Sequence, residues 1–328
     1  MFESCFATVI IPVYNSRPGL EKCLASLSAQ TYPRDRFETI IVDDGSTDGL
    51  GEWVEAFRKG SSMDIKYFYQ VNKGPAAARN LGITHSRGDI IAFIDSDCIP
   101  EKNWLEEILK GYDLDKTAGV GGIIEARSGD TPVSRYCAYT RMNRAPKVDQ
   151  QGVVYLITGN ASFRRDRLAA AGGFDERFDF PGGEDPDLCY RLKQSGYIFQ
   201  SNHNAVVYNR HKQYLSQLLR TYFNYGKGQA FLLARKMSRR DLASVSGAQW
   251  WFYFCAVLVK MSLKFIVNLK WLLRSIKIPF YALSYYGKGL SAGDGLRYAA
   301  YDYLRLLVFV QGCFCGYFIG KFRGFKRA

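Results

Sequence analysis

Over the first 125 residues, apolar side chains fall into short, β-branched runs. Each run ends in a polar turn, and helical spacing follows. Residues 7–13 read ATVIIPV, a strand apolar on both faces. Leu20, Cys23, Leu24 and Leu27 then recur at helical intervals. Residues 39–42 form a second run, Trp53, Val54 and Phe57 mark another helix, and residues 65–69 form a third run. Gly74-Pro75 opens a helix over 76–84, with proline where its missing N–H costs nothing. Residues 90–94 (IIAFI) predict a fourth strand, Trp104, Leu105 and Ile108 a helix, and residues 120–124 a further strand. Strands alternating with helices at this pitch predict an α/β fold with a parallel, doubly wound sheet.

The pattern then changes. Residues 126–151 are polar and read as irregular, and 153–158 read as a strand. Residues 165–171 and 186–194 read as helices. Between them lies a loop with Gly172, Gly173, Pro181, Gly182 and Gly183, expected to be structureless and suited to function. From Tyr214 onward the signal is almost entirely helical. There is no internal repeat.

A hydrophobic share of 47% excludes a disordered chain. The net charge of +13 is distributed unevenly. Residues 1–208 carry 24 basic and 28 acidic side chains, whereas 209–328 carry 20 basic and three acidic. The division predicts a near-neutral body over 1–212 and a basic helical region over 213–328 that meets an anionic partner. Residues 250–278 place Lys260, Lys264, Lys270, Arg274 and Lys277 on one helical arc, and an aromatic-rich apolar set opposite. This describes a helix lying in a membrane interface, the alternative being a core helix packed on the body. Residues 306–319 are uncharged but too few to span a bilayer comfortably, and the tail at 321–327 is basic. Peripheral or re-entrant attachment at the cytoplasmic face of the cell membrane is the expectation. Nucleic acid is not expected as a partner, since no zinc or recognition-helix motif accompanies the basic residues. Eight cysteines without a CxxC spacing, and no basic leader at the start, fit reduced thiols in the cytoplasm.

Acid follows two of the predicted strands: Asp43-Asp44 and Asp95-Ser96-Asp97. Ligands of open α/β sheets bind outside the carboxyl ends of strands. Adjacent strands would bring both clusters over one crevice, where carboxylates repel unless a cation or donor-rich ligand is present. Mg2+ and Mn2+ bind through one or two carboxylates plus substrate phosphates, so the pair of clusters points to a metal-held nucleoside diphosphate. Taken alone, Asp43-Asp44-Gly45-Ser46 reads as a turn.

As a set these motifs resemble the family 2 glycosyltransferases. They are Thr8 to Asn15 (TVIIPVYN), Asp43 to Asp48 (DDGSTD), Asn72 to Asn80 (NKGPAAARN) and Asp95-Ser96-Asp97, extended by Thr158-Gly159-Asn160 and Gly183-Glu184-Asp185. The resemblance covers residues 6–212, roughly two thirds of the chain. It implies a GT-A fold, Rossmann-like with a mostly parallel sheet flanked by helices. It also implies inverting transfer from a nucleotide sugar that depends on Mn2+ or Mg2+. Carried over, Pro12, Val13 and Tyr14 frame the nucleoside, and Asp43 bonds the base with Asp44 beside it. Arg79 contacts the diphosphate or nucleoside, its alternative being an ion pair. Asp95 reaches the ribose or sugar, and Asp97 holds the metal.

Single displacement at the anomeric carbon requires a base for the acceptor hydroxyl. The resemblance gives that role to Asp185 and acceptor positioning to Glu184, with Asp187 as the alternative base and helix capping as the bland reading. Family members also carry a metal-coordinating His near residue 209, where this chain has Asn209; His211, two residues on, is the candidate in its place, with Asn209 or water as alternatives. His85 and His203 read as structural or surface residues. The expected activity is transfer to a lipid-linked or growing glycan acceptor. A polyprenyl-phosphate sugar synthase, a nucleotidyltransferase and an inert sugar-nucleotide binder are the alternatives.

Overall fold

The computed structural model describes residues 5–127, 131–140, 145–150, 152–210, 212–236 and 292–325. The chain divides into two compact units, Met1–Gln213 and Tyr214–Ala328.

The first unit is built on an eight-stranded sheet. Its strands are β1 (Ala7–Val13), β2 (Phe37–Asp43), β3 (Ile65–Tyr69), β4 (Ile90–Ile94), β5 (Cys98–Pro100), β6 (Thr117–Arg127), β9 (Asn160–Arg164) and β10 (Ile198–Arg210), in the order β3-β2-β1-β4-β9-β6-β10-β5. The run β3-β2-β1-β4 is parallel throughout. Beyond it β9 is antiparallel to both β4 and β6, β10 runs parallel to β6, and β5 closes the edge antiparallel to β10. The sheet is therefore mixed, with its parallel half at the amino-terminal end of the sequence.

The parallel half follows from the sequence. Every β2 and β4 residue is buried, as a strand covered on both faces requires. Helix α1 (Arg17–Leu27) buries Leu20, Cys23, Leu24 and Leu27, a single stripe, and has proline in its first turn. Helices α2 (Leu50–Gly60), α3 (Pro75–His85) and α4 (Trp104–Ile108) complete the layers. His85 stacks on Phe68 at 4.1 Å between ring centroids, a packing role.

The second half departs from expectation. Residues 126–151 are not uniformly irregular: α5 (Pro132–Tyr139) lies there, its N-cap Thr131 accepting from the Ser134 N–H, and β7 (Lys147–Asp149) pairs with β8 (Gly152–Tyr155) as a small hairpin. β8 stops at Tyr155, short of the expected 158. β9 had no apolar signature because Asn160 and Ser162 are buried polar residues held by hydrogen bonds. Asn160 Nδ2 donates to the carbonyls of Ile123 and Ala205, and its Oδ1 accepts from Trp104 Nε1, tying α4, β6 and β10 together. Helices α6 (Arg165–Ala170) and α7 (Glu184–Gln194) flank the Gly-rich loop. That loop has its own core of Phe174, Phe178 and Phe180. Asn80 of α3 grips it: Oδ1 accepts from the Phe174 N–H, and Nδ2 donates to the Phe174 carbonyl and Glu176 Oε1.

The second unit contains α8 (Leu215–Lys236) and α9 (Ala292–Phe325). They cross at two glycines. A Cβ on Gly226 would sit 2.0 Å from the Phe309 carbonyl oxygen, and one on Gly312 would sit 2.0 Å from that of Phe223, so only glycine allows this approach. Arg305, paired with Asp302 on its own helix, reinforces the crossing by donating to the Tyr222 hydroxyl of α8. Residues 306–319 are thus the interior of a 34-residue helix rather than an isolated apolar segment. Among the described residues no helix is long and apolar enough to cross a membrane. The interfacial helix expected at 250–278 lies outside the described residues.

Candidate active site

The acidic clusters share the carboxyl edge of the parallel half, but not on neighbouring strands. β1 lies between β2 and β4, so Asp43 and Asp95 are next-but-one, about 10 Å apart across the sheet. Asp43 and Asp44 are also not left facing like charge. Asp43 Oδ1 accepts from the Ser46 N–H at 2.7 Å, closing the Asp-Gly-Ser turn, and Oδ2 accepts from the Tyr67 hydroxyl at 2.7 Å. Asp44 Oδ1 accepts from Gln70 Nε2 and the Lys73 N–H, and Oδ2 from the Gly74 N–H. Both carboxylates shape the loops of a crevice rim. Pro12 and Val13 end β1 at this rim, and Tyr14 beyond them is 54% exposed, with Asn15 at a positive φ of 47°. Asn15 accepts from the Thr47 N–H and so keeps the Tyr14 turn against the Asp-Gly-Ser turn.

The second cluster behaves differently. β5 pairs Cys98 with Asn209 of β10, and Asn209 Nδ2 donates to Asp97 Oδ1 at 3.2 Å. Burial, and then Asp95 beside it, push the Asp97 carboxyl above the usual range. Asp95 and Asp97 repel each other, with Lys212 and Asn209 acting on Asp97 and Arg79 on Asp95; an oxygen-rich pair of this kind suits a hard divalent cation, which binds through few protein oxygens and keeps positions for phosphate. Among the described residues no group of three or more His, Cys, Asp and Glu is arranged to hold a metal ion. Asp95 and Asp97 are the carboxylates at this edge that could hold such an ion, with oxygens from elsewhere completing it. His211 lies outside the described residues.

Arg79 joins this cluster to the acceptor side. It is 5% exposed on α3. Nη1 donates to Glu184 Oε1 at 3.0 Å and Nη2 to Asp95 Oδ1 at 3.4 Å, and the guanidinium lies over the Phe174 ring. Burial opposes its charge, but Asp185, Glu184 and Asp95 outweigh it and raise the guanidinium pKa. The Arg79 Nε is buried without a hydrogen-bond partner among the described residues.

Glu184 is buried, and its oxygens are taken by Arg79 and the Gly182 N–H. These bonds tie Glu184 to Arg79 and to the Gly-rich loop. Asp185 is partly exposed at the first turn of α7. Burial and then Glu184 push its carboxyl up to about 7, against Arg79 and two bonds from Thr158. Asp187, the alternative base, is buried and accepts from Arg191 Nε at 2.8 Å; Arg191 in turn donates to the Ala171 and Gly173 carbonyls. Asp187 is thereby committed to the loop. Three contributors carried no role predicted from the sequence: Tyr67 and Gln70, which occupy Asp43 and Asp44, and Thr158. The first two are on or just past the strand beside β2, a register argument that pairing of β2 with β3 would have supplied.

The sequence matches Glycosyl transferase family 2 over residues 8–170 and Glycosyl transferase family group 2 over residues 90–288. It is 32% identical over 245 residues to glycosyltransferase AglE of Haloferax volcanii, covering 73% of this chain and 78% of that protein. It is also 32% identical over 250 residues to the pre-mycofactocin glycosyltransferase of Mycobacterium tuberculosis, covering 73% of this chain and 50% of that one. A mannosyltransferase of Pyrobaculum calidifontis, solved in complex with GDP-Man and Mn2+, shares the fold at a TM-score of 0.57 and 22% identity, over 72% of this chain and 65% of that chain. Fold and matches define a glycosyltransferase of the GT-A type. The chain belongs to the family 2 glycosyltransferases, which sets aside the nucleotidyltransferase reading.

Proposed function

We propose that the protein transfers a sugar, with inversion, from a nucleoside-diphosphate donor to a hydroxyl of a lipid-linked or growing glycan at a membrane surface. The observation that carries this reading is Asp185, a carboxyl pushed up to about 7, acted on by the charge of Arg79, which bonds Asp95 of the donor crevice. A group titrating near working pH both accepts a proton and releases it. The rim formed by Pro12, Val13, Tyr14, Asp43 and Asp44 receives the nucleoside. Asp95 meets the ribose or sugar, and Asp97 anchors the ion. Arg79 holds Asp95 and Glu184 in register across the crevice. Asp185 takes the proton of the attacking hydroxyl.

A bound Mn2+ or Mg2+ supplies the Lewis acidity that neutralises the leaving diphosphate. A phosphate acceptor, as in a polyprenyl-phosphate sugar synthase, is already ionised and needs no base, so Asp185 favours the hydroxyl. The basic residues of 209–328 support attachment to anionic lipid at the cytoplasmic face, each contributing about 1 kcal/mol near the surface.

Release of nucleoside diphosphate from a panel of nucleotide sugars with Mn2+ tests the activity. Failure with every donor that raises the melting temperature would count against it. Flotation with phosphatidylglycerol vesicles but not with phosphatidylcholine vesicles is the expected membrane result.

A further inference from the structure

Asp185 is gripped from outside its own helix. The Thr158 N–H donates to its Oδ2 at 3.1 Å, and the Thr158 hydroxyl donates to its Oδ1 at 2.7 Å. Two residues earlier, the Leu156 N–H donates to Cys189 Sγ at 3.4 Å. Asp185 and Cys189 are one turn apart on α7, about 6 Å along the axis. Two residues of extended chain reach at most about 7 Å, so the segment 156–158 docks on one face of α7 and meets it at both points. Thr158 is 1% exposed, so water does not compete for its donors. The next residue, Gly159, faces the other cluster: a Cβ there would lie 2.8 Å from Asp95 Oδ2. One dipeptide therefore clamps the acceptor-side carboxylate and leaves room for the donor-side one.

We infer that Thr158 is the positioning residue of the base, fixing both oxygens of Asp185 so that the lone pairs left over face the acceptor hydroxyl. This rests on the reading of Asp185 as base. The groups around Asp185 are Glu184 and Cys189 on its own helix, Arg79 on α3, Tyr155 on β8, and Thr158 itself. Glu184 raises the carboxyl and Arg79 lowers it. Tyr155 and Cys189 are themselves raised, by burial first and with Asp185 contributing, and so stay protonated and neutral as it titrates. Thr158 supplies hydrogen bonds that favour the ionised form without adding charge.

The test uses the full chain labelled with 13C at aspartate Cγ and titrated by NMR, with the Asp185 resonance identified by its loss in Asp185→Asn. In Thr158→Val the Asp185 midpoint moves up by about one pH unit. Thr158→Ser keeps the wild-type midpoint. Nucleoside diphosphate release from the donor, with water as acceptor, falls about fivefold in kcat at pH 7 for Thr158→Val, because the ionised fraction drops from about one half to about one tenth, with donor KM unchanged. Thr158→Ala, which leaves space instead of a methyl against the carboxylate, gives the same shift should the valine variant fail to fold. A valine or alanine variant titrating like wild type, or a serine variant as impaired as valine, overturns the inference. So does a joint loss of donor affinity and kcat at an unmoved midpoint. Full turnover in Asp185→Asn alongside a shifted Thr158→Val midpoint removes the base reading instead and leaves only the Thr158–Asp185 coupling, so the two failures are distinguishable.

Discussion

The carboxylates of the two halves of the sheet live in different conditions. On the parallel side, Asp43 and Asp44 are buried and accept five hydrogen bonds from protein donors. Past β4, where the sheet turns mixed, Asp97, and on α7 Asp185, are held with their pKa values raised, each beside another acid. The first pair contributes to folding, since its charge is satisfied before any ligand arrives. The second pair is left wanting a cation or a proton, and discomfort of this kind is what a reaction centre uses. Charge that looks equivalent along the sequence thus divides into carboxylates met by protein donors and carboxylates held beside other acids.

The largest expected effect is on chemistry. Asp185→Asn lowers turnover about 10²–10⁴-fold, as loss of a general base does, while the donor still raises the melting temperature. Equal turnover in this variant would end the base assignment. Next comes a contrast between the halves. Asp44→Ala strands buried donors from Lys73 and Gly74 and costs about 2–4 kcal/mol in urea unfolding. Asp97→Asn relieves repulsion, so it leaves unfolding unchanged or raises stability, yet abolishes stabilisation by Mn2+ with donor. If Asp97→Asn proves the more destabilising of the two, the comparison is wrong.

A smaller effect appears in the pH profile. Asp185 must be ionised to accept a proton, so kcat/KM declines about tenfold per pH unit below about 7. Its stability linkage has the opposite sense. The folded state binds this proton more tightly than the unfolded chain does, so the contribution is unfavourable above the folded value and fades as the pH falls toward 4. Asp185→Asn is accordingly more stable than wild type at pH 8, by about 1–2 kcal/mol, with no gain at pH 4. Paired thermal melts at the two pH values check it.

The parallel half was legible because its strands are buried on both faces, and a continuous apolar run as short as 90–94, bounded by polar turns, fits a buried strand better than a helix. β9 was not, since Asn160 and Ser162 interrupt any apolar run, and their burial follows from partners such as Trp104, Ile123 and Ala205 that lie far off in sequence. α5 was missed because its eight residues carry too little apolar stripe to stand out from polar neighbours. Positions of the acids at strand ends could be read directly, but their states could not. Those states depend on Arg79 meeting Glu184 across 105 residues and on Tyr67 reaching Asp43 from the next strand, contacts without a local signature.

The grip of Asn80 on the Gly-rich loop carries a consequence for selectivity. With Phe174 bonded at both its N–H and its carbonyl and three phenylalanines buried beneath, that loop is a fixed wall rather than a closing flap. On the proposed reading, an incoming acceptor meets a contour set in advance. Changing which acceptor fits is then a matter of recutting individual side chains on the wall, and tuning hinges would accomplish little.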